Sequence, residues 1–381
     1  MRRILPFLFL LCSLCCNAQD LSFGRKIVDT LTSSYFWGRG YTNNGMQKAA
    51  DFLAAEFSSY GLAPMKGKSF FQNYSYPVNT FPGKMALTVN GNVLTPGKDF
   101  IVQAGSKGVS SNGYFSQADS VTFIDKSERL ILKLEDKLTM EASQKVEDFS
   151  VVQVVKTALD KKPFAYRADI ENSFIKKFNA SNVCAVVKGT AKPDSFIIIT
   201  AHYDHLGGLG ADTYFPGAND NASGVALLMN LAHYYAKHPQ RYSIGFILFS
   251  GEEIGLLGSK YFSENPLIPL QKIRFLLNTD LAGTGDDGIT VVNATEFPKE
   301  FELLQKVNTT SNLLKAVNPR GKAANSDHYF FTESGVPSFF FYTLGGVKFY
   351  HDVFDKSETL PLNEHEDLFK LVVQFNEKLM Q

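Results

Sequence analysis

The chain has 381 residues, of which 44% are hydrophobic, so it can bury a large core and is long enough for one large domain or two ordinary ones. Its 38 basic residues balance its 38 acidic ones, and no basic patch points to nucleic acid as a partner. Beyond the N-terminal segment, no stretch approaches the roughly 18 consecutive apolar residues of a membrane-spanning helix. We therefore expect no stable membrane insertion once that segment is removed.

Residues 1–18 have the pattern of a secretory signal peptide. Two arginines precede the apolar run Ile4–Leu14, and small residues lead to Ala18. We expect cleavage after Ala18 and a secreted or periplasmic protein. The alternative is an uncleaved anchor or a lipid-modified cysteine at Cys15 or Cys16, which the residues before those cysteines disfavour.

Three of the four cysteines lie in this segment, so the processed chain cannot form an intramolecular disulfide. An exported protein without disulfides depends on its core for stability, which favours a large globular domain. The remaining cysteine, Cys184, lies in the apolar run Val183–Val187. This environment predicts a buried structural thiol and not a nucleophile.

The first half of the chain changes character near residue 81. Apolar residues recur at helical spacing from Asn43 to Ser59, which predicts an amphipathic helix, and we assign residues 19–80 to an N-terminal helical part of the main domain. Residues 81–165 instead predict a small β-rich insert of short strands. Its predicted strands are the hairpin Met85–Leu94 with an Asn-Gly turn, Val121–Ile124 and Leu130–Leu134.

Strands and helices alternate in residues 166–381, which is typical of an α/β fold. The predicted elements are the strands Val183–Val187 and Phe196–Thr200, the helix Ser223–Lys237, the strand Ile244–Phe249, a short helix near Ser259 and the strand Ile273–Asn278. We predict a three-layer α/β sandwich whose mixed, partly parallel sheet is flanked by helices.

All seven histidines follow residue 200. The buried strand Phe196–Thr200 leads to His202 and Asp204 at its carboxyl end, where open α/β sheets place their ligands. His202 can offer a ring nitrogen to a metal, while Asp204 can accept the other ring proton and fix the tautomer. We expect structural roles for the histidines at 205 and 233 and surface positions for those at 238 and 365.

Further acidic residues follow the next strands. Glu252 and Glu253 come after the strand Ile244–Phe249, Asp280 comes after Ile273–Asn278, and Asp220 lies in a glycine-rich loop before a helix. A single carboxylate at a strand end is more often a helix cap or a solvated charge. Two adjacent glutamates after a buried strand repel each other unless a cation or a shared proton intervenes. A metal site is the simpler interpretation.

The segments that carry these residues resemble, in order, those of the secreted dizinc aminopeptidases. This group, family 28 of the metallopeptidases, includes bacterial leucyl aminopeptidases, glutamate carboxypeptidase and the catalytically inactive transferrin receptor. The segments are Thr200–Gly207, Pro216–Gly224, Phe249–Ser259, Asn278–Asp280, Ser326–His328 and Tyr350–His351. The resemblance extends from about Asn182 to Val372 and includes Gly38–Ala50, whereas the insert only loosely resembles a protease-associated domain.

The resemblance implies an aminopeptidase with two zinc ions per chain, acting on peptides with a free N-terminus. It assigns His202 and Asp280 to one zinc, Glu253 and His351 to the other, and Asp220 as the bridge between them.

The resemblance also implies roles for residues that do not bind metal. Glu252 would be the general base, and Tyr350 matches a position that can hydrogen-bond the oxyanion. Asp327 and His328 match a segment near the site and receive no role beyond the pocket wall. A cis peptide is implied after Asp220. The alternatives are a one-zinc glutaminyl cyclase and a noncatalytic, receptor-like relative.

Overall fold

The computed structural model describes residues 21–381, so the predicted signal peptide and its cleavage site lie outside the described residues. The helices are α1 Leu21–Leu31, α2 Gly45–Ser59, α3 Gly224–Lys237, α4 Leu257–Glu264, α5 Pro298–Ser311, α6 His328–Glu333 and α7 His365–Leu379. The strands are β1 Ala63–Pro64, β2 Phe71–Thr80, β3 Met85–Val89, β4 Asn92–Leu94, β5 Phe100–Val102, β6 Val109–Tyr114, β7 Ser116–Gln117, β8 Thr122–Asp125, β9 Leu130–Glu135, β10 Ser150–Val155, β11 Ala165–Ile170, β12 Ser173–Val187, β13 Lys192–His202, β14 Gly208–Leu209, β15 Thr213–Tyr214, β16 Tyr242–Phe249, β17 Ile273–Thr279, β18 Ile289–Val292, β19 Val317–Pro319 and β20 Ser338–Thr343.

A large mixed sheet forms the centre of the molecule. Its strand order is β1-β12-β16-β13-β17-β20-β18-β19, and β2 also pairs with β12. The central strand β13 runs parallel to β16 and β17, and β17 runs parallel to β20. Strands β12 and β18 pair antiparallel with their neighbours β16 and β20. The predicted mixed, partly parallel sheet is confirmed.

Helices cover both faces of this sheet. Successive side chains of β13 point to opposite faces, so Ile197 and Ile199 enter the larger core, which contains buried side chains from α1, α2, α3 and α7. Ile198 enters a second core with Phe262 of α4 and Phe331 of α6. The predicted three-layer sandwich is therefore confirmed. Within residues 21–381, no helix has both the length and the apolar character needed to cross a bilayer.

The insert consists of two smaller sheets, with the orders β4-β3-β11-β6 and β5-β10-β9-β8-β7. The predicted hairpin is present, and its turn residues Asn90 and Gly91 have φ angles of 53° and 85°. The predicted boundary at residue 165 is wrong, because β11 pairs with β3 and β6 and so extends the insert through Ile170. Residues 19–80 are also not wholly helical, since β2 belongs to the main sheet.

His365 was predicted at the surface and is instead fully buried. It lies at the start of α7, and its Nε2 accepts a hydrogen bond of 2.8 Å from Asn230 Nδ2 on α3. A Cβ atom at Gly24 of α1 would lie only 2.6 Å from the same Nε2, so the three helices pack closely around the ring. Burial, with Arg25 nearby, lowers the pKa of His365 to about 4. By contrast, His238 is exposed, as predicted.

This buried imidazole makes the folded chain sensitive to acid. The unfolded chain protonates His365 near its ordinary pKa of roughly 6.5, whereas the folded chain takes up this proton only near pH 4. Between these values the unfolded state binds more protons, so the free energy of unfolding falls as the pH falls, by on the order of 3 kcal/mol in total. We expect His365→Gln to flatten this dependence in urea unfolding measured from pH 7 to 4.5. The control is the exposed residue in His238→Gln. If the free energy of unfolding depends on pH equally in both variants, His365 is not the source of the acid sensitivity.

Candidate metal centre

Three parallel strands deliver the predicted residues to one edge of the main sheet. His202 is the last residue of β13, Glu252 and Glu253 follow β16, and Asp280 follows β17. The carboxyl ends of these strands meet because β13 is the parallel neighbour of the other two. Asp220 reaches the same place from the turn Ala218–Ser223 before α3.

The carboxylate of Asp220 lies between two imidazoles. Its Oδ1 is 3.4 Å from His202 Nε2, and its Oδ2 is 3.2 Å from His351 Nε2. Asp280 Oδ1 joins the first pair at 3.3 Å from His202 Nε2. Glu253 Oε2 joins the second pair at 3.0 Å from His351 Nε2. The structure thus brings together all five predicted metal ligands as two clusters that share Asp220.

The charges at this edge fit a cation. Oδ1 of Asp280 is buried and has no hydrogen-bond partner. Burial alone would lower the pKa of His351, but Glu253 and Asp220 beside it raise that pKa to about 11. A positive charge between these buried carboxylates would therefore stabilise them. Imidazole nitrogens and carboxylate oxygens are ligands that suit zinc, so the residues present fit this metal.

The two adjacent glutamates lie in different environments. Burial, with Glu253 and other carboxylates close by, raises the pKa of Glu252 well above its ordinary value. Burial would do the same to Glu253, but the imidazoles of His351 and His205 hold its pKa well below the ordinary value. A donor atom of Glu252 lies within 4.8 Å of donors of His202 and Glu253. Glu252 therefore lies beside the cluster, and its carboxyl group has a higher proton affinity than that of Glu253.

Asp204 contacts the site differently from the sequence prediction. His202 Nδ1 lies 3.2 Å from the backbone carbonyl of Asp204 and 3.9 Å from its carboxylate, so the ring bonds to the main chain. The carboxylate instead accepts the backbone N–H groups of Glu252 and Glu253, at 3.2 and 3.4 Å. Burial raises the pKa of Asp204 to about 7, although His202 opposes this. Asp204 therefore connects the end of β13 to the Glu252-Glu253 turn.

Comparison with known proteins identifies the family. The model of a family described as Peptidase family M28 matches residues 182–376, more than half of the chain. This chain belongs to peptidase family M28. The resemblance found in the sequence segments is thereby confirmed.

Individual relatives agree with the M28 assignment. A curated protein of Pyrenophora tritici-repentis, named "Probable zinc metalloprotease", is 39% identical over 112 residues, which are 28% of this chain and 23% of that protein. The chain thus spans about a quarter of the length of such relatives. A Peptidase M28 precursor from Shewanella amazonensis superposes with a TM-score of 0.71 at 16% identity, over 96% of this chain and 94% of that one. A zinc aminopeptidase from Bacillus subtilis gives 0.67 at 18% identity, over 94% of both chains.

Arg39, which the sequence analysis did not single out, supports two loops of the M28 site. Its guanidinium is fully buried and donates five hydrogen bonds to backbone carbonyls. The acceptors are Leu31 (3.2 Å), Tyr203 (2.8 Å), Pro216 (2.6 Å), Gly217 (2.8 Å) and Asp220 (3.1 Å). A Cβ atom at Gly38 or Gly40 would lie within 2.5 Å of backbone atoms, so these glycines permit the close approach.

Asp355 is a second residue that the sequence did not reveal. Its buried carboxylate accepts the backbone N–H groups of Asn219 at 2.8 Å and Asp220 at 3.0 Å. Burial raises its pKa to about 6, against the effect of these hydrogen bonds. The peptide bond between Asp220 and Asn221 is cis, as predicted. Asp355 therefore holds the turn that carries the bridging carboxylate.

The loop around His351 rests on the insert. Met140 accepts a hydrogen bond of 2.8 Å from His351 Nδ1, and its own N–H donates to the His351 carbonyl at 2.9 Å. The first bond orients the ring, so Nε2 faces the carboxylates. Lys137 of the insert pairs with Asp352 at 3.2 Å. The ring of Tyr350 stacks on His351 with centroids 3.9 Å apart, and the residue remains 44% exposed.

The Ser326–His328 segment borders the first cluster. Ser326 Oγ donates to Asp280 Oδ2 at 3.3 Å. Asp327 is fully buried, and burial raises its pKa to about 7. His328 is also buried, packs on the ring of Phe340, and has its pKa lowered to about 4 by burial. These contacts place the segment beside the site, and within residues 21–381 neither Asp327 nor His328 makes a side-chain hydrogen bond to a predicted zinc ligand.

Proposed function

We propose that this M28 protein is a zinc aminopeptidase that holds two zinc ions and removes N-terminal residues from peptides. The observation that carries the proposal is the position of Asp220, whose two oxygens face His202 and His351 separately. Asp280 completes one cluster and Glu253 the other. A site for a single zinc does not need a shared carboxylate of this kind.

Zinc bound here would lower the pKa of the attacking water, polarise the scissile carbonyl and stabilise the developing oxyanion. Glu252 would accept a proton from that water and return it to the leaving amine, since its carboxyl group borders the cluster and has a raised pKa. Tyr350 lies over the ring of His351 and can donate its hydroxyl proton to the oxyanion. Asp204, Arg39 and Asp355 would hold the reacting groups in place.

Metal analysis together with a substrate screen tests this function. We expect two zinc ions per purified chain, hydrolysis of aminoacyl chromogenic substrates, loss of activity with a chelator and recovery when zinc is returned. The matched control substrate carries an acetylated N-terminus, which should not be cleaved if a free amine is required. One zinc per chain with pyroglutamate formation from N-terminal glutamine would instead indicate a glutaminyl cyclase. No turnover and no metal uptake would indicate a noncatalytic relative.

We also propose that the protein is exported. The support is the signal-peptide pattern of residues 1–18. N-terminal sequencing of the exported protein should find a chain that starts near Gln19 or Asp20. A chain that starts at a lipid-modified Cys15 or Cys16 would contradict both the cleavage site and the free, secreted form.

A further inference from the structure

His205 contacts the metal centre although it was expected to have only a structural role in its loop. Its side chain is fully buried, and Nδ1 lies 2.5 Å from Oε1 of Glu253. Its other ring nitrogen, Nε2, has no hydrogen-bond partner among the described residues. The ring therefore makes one directed polar contact, and that contact is with a predicted zinc ligand.

This contact divides the two oxygens of Glu253 between two imidazoles. Oε1 accepts from His205, while Oε2 lies 3.0 Å from His351 Nε2 and faces the second cluster. A glutamate carboxylate, carried on three rotatable side-chain bonds, can otherwise turn either oxygen toward the metal. A hydrogen bond to one oxygen removes that freedom and leaves the other oxygen to face the cluster.

The surroundings of His205 hold its ring in this orientation. Its backbone N–H donates to the carbonyl of Arg39 at 3.3 Å, and its ring packs edge-on against His351 with centroids 5.8 Å apart. A Cβ atom at position 217 would lie 2.4 Å from the ring carbon Cδ2, so the imidazole packs closely against Gly217. These contacts restrict the orientation of the ring independently of its contact with Glu253.

We propose that His205 is a positioning residue for the second zinc: its Nδ1–H holds Glu253 so that Oε2 faces the position between His351 and Asp220. This inference rests on the proposed two-zinc function. It predicts that binding of this zinc requires a hydrogen-bond donor at the position of Nδ1. A polar atom at the position of Nε2 is not required.

Two amide substitutions separate these requirements. The side-chain nitrogen of His205→Asn can take the place of Nδ1, whereas that of His205→Gln reaches the place of Nε2. We expect His205→Ala and His205→Gln to weaken the affinity for one zinc by about 10–100-fold and His205→Asn to stay close to the wild type. The affinity for the other zinc should not change. The measurement is chelator competition on zinc-reconstituted protein, with no substrate present.

The remaining outcomes discriminate between explanations. If His205 only filled volume, the larger Gln would restore zinc affinity at least as well as Asn, which would overturn the proposal. If His205 were itself a zinc ligand, Asn would fail as completely as Ala, and the positioning role would again be wrong. His365→Gln is the control for a buried histidine remote from the centre and should leave both affinities unchanged. A wild-type chain that binds only one zinc would overturn the proposed function and this inference together; two zinc ions with no effect of His205→Ala would overturn this inference alone.

Discussion

Glu252→Gln should lower turnover by about two to four powers of ten while the chain keeps its fold and both zinc ions. The substitution preserves the size of the side chain and the backbone N–H that donates to Asp204, but it removes the group that accepts a proton. The measurements are kcat on an aminoacyl chromogenic substrate, zinc per chain, and the midpoint of thermal unfolding. Unchanged metal content with a large loss in kcat would support the role of general base.

The variant Glu253→Ala should behave differently from Glu252→Gln. Glu253 is adjacent to Glu252 in sequence, but in the structure its carboxylate lies beside His351 and His205. Removing this carboxylate should weaken or abolish binding of one zinc, and excess zinc should partly restore activity. If Glu252→Gln loses metal while Glu253→Ala keeps it, the two roles are exchanged. If both variants remain fully active, the proposal that the protein is a two-zinc hydrolase is wrong.

The predicted ligands at the strand ends could be found from the residues because their signals are local. In each of β13, β16 and β17 a histidine or a carboxylate lies within three residues of the end of an apolar run, and parallel neighbours in a sheet bring such ends together. The turn with Asp220 was visible for a similar reason, since small residues precede a strongly apolar helix. The residues alone therefore indicated a metal site at this sheet edge, whereas zinc and the assignment of His351 came from the family resemblance.

The supporting residues were not predictable, because their partners are distant in sequence. Asp355 binds the backbone of Asp220 across 135 positions, and Met140 reaches His351 from the insert across 211. Neither contact leaves a local pattern. Asp204 could be linked to His202 by spacing alone, but its carboxylate binds backbone N–H groups that follow another strand.

His365 is different, because a usable signal was present. The buried positions Leu368, Phe369 and Val372 of α7 lie three, four and seven residues after it, which is the spacing of one helix face. His365 therefore lies on the apolar face of α7. Its position on this face was missed because histidine was counted as a polar residue. Hydrophobic periodicity extended to include histidine would have predicted its burial.

Arg39→Lys should destabilise the protein strongly, although it keeps the positive charge. The guanidinium donates five hydrogen bonds to buried carbonyls, whereas an ammonium has three donors and cannot match the planar arrangement. At least two buried carbonyls would lose their donor. Each unsatisfied buried group costs roughly 1–3 kcal/mol, so we expect the free energy of unfolding to fall by about 2–6 kcal/mol.

Activity should fall together with stability, because Arg39 joins the loop after His202 to the loop that carries Asp220. We expect zinc affinity to weaken and kcat/KM to drop at least about tenfold, since a small displacement of a reacting group is costly.

The matched control is Arg25→Lys. The guanidinium of Arg25 also donates to backbone carbonyls, those of Ser357, Leu360 and Pro361, but it is partly exposed. Water can replace its bonds, so this variant should change stability by less than about 1 kcal/mol and leave kcat unchanged. Equal losses of stability in the two lysine variants would contradict the role of Arg39; a destabilised Arg39→Lys with normal zinc affinity and kcat would show that the site does not depend on it.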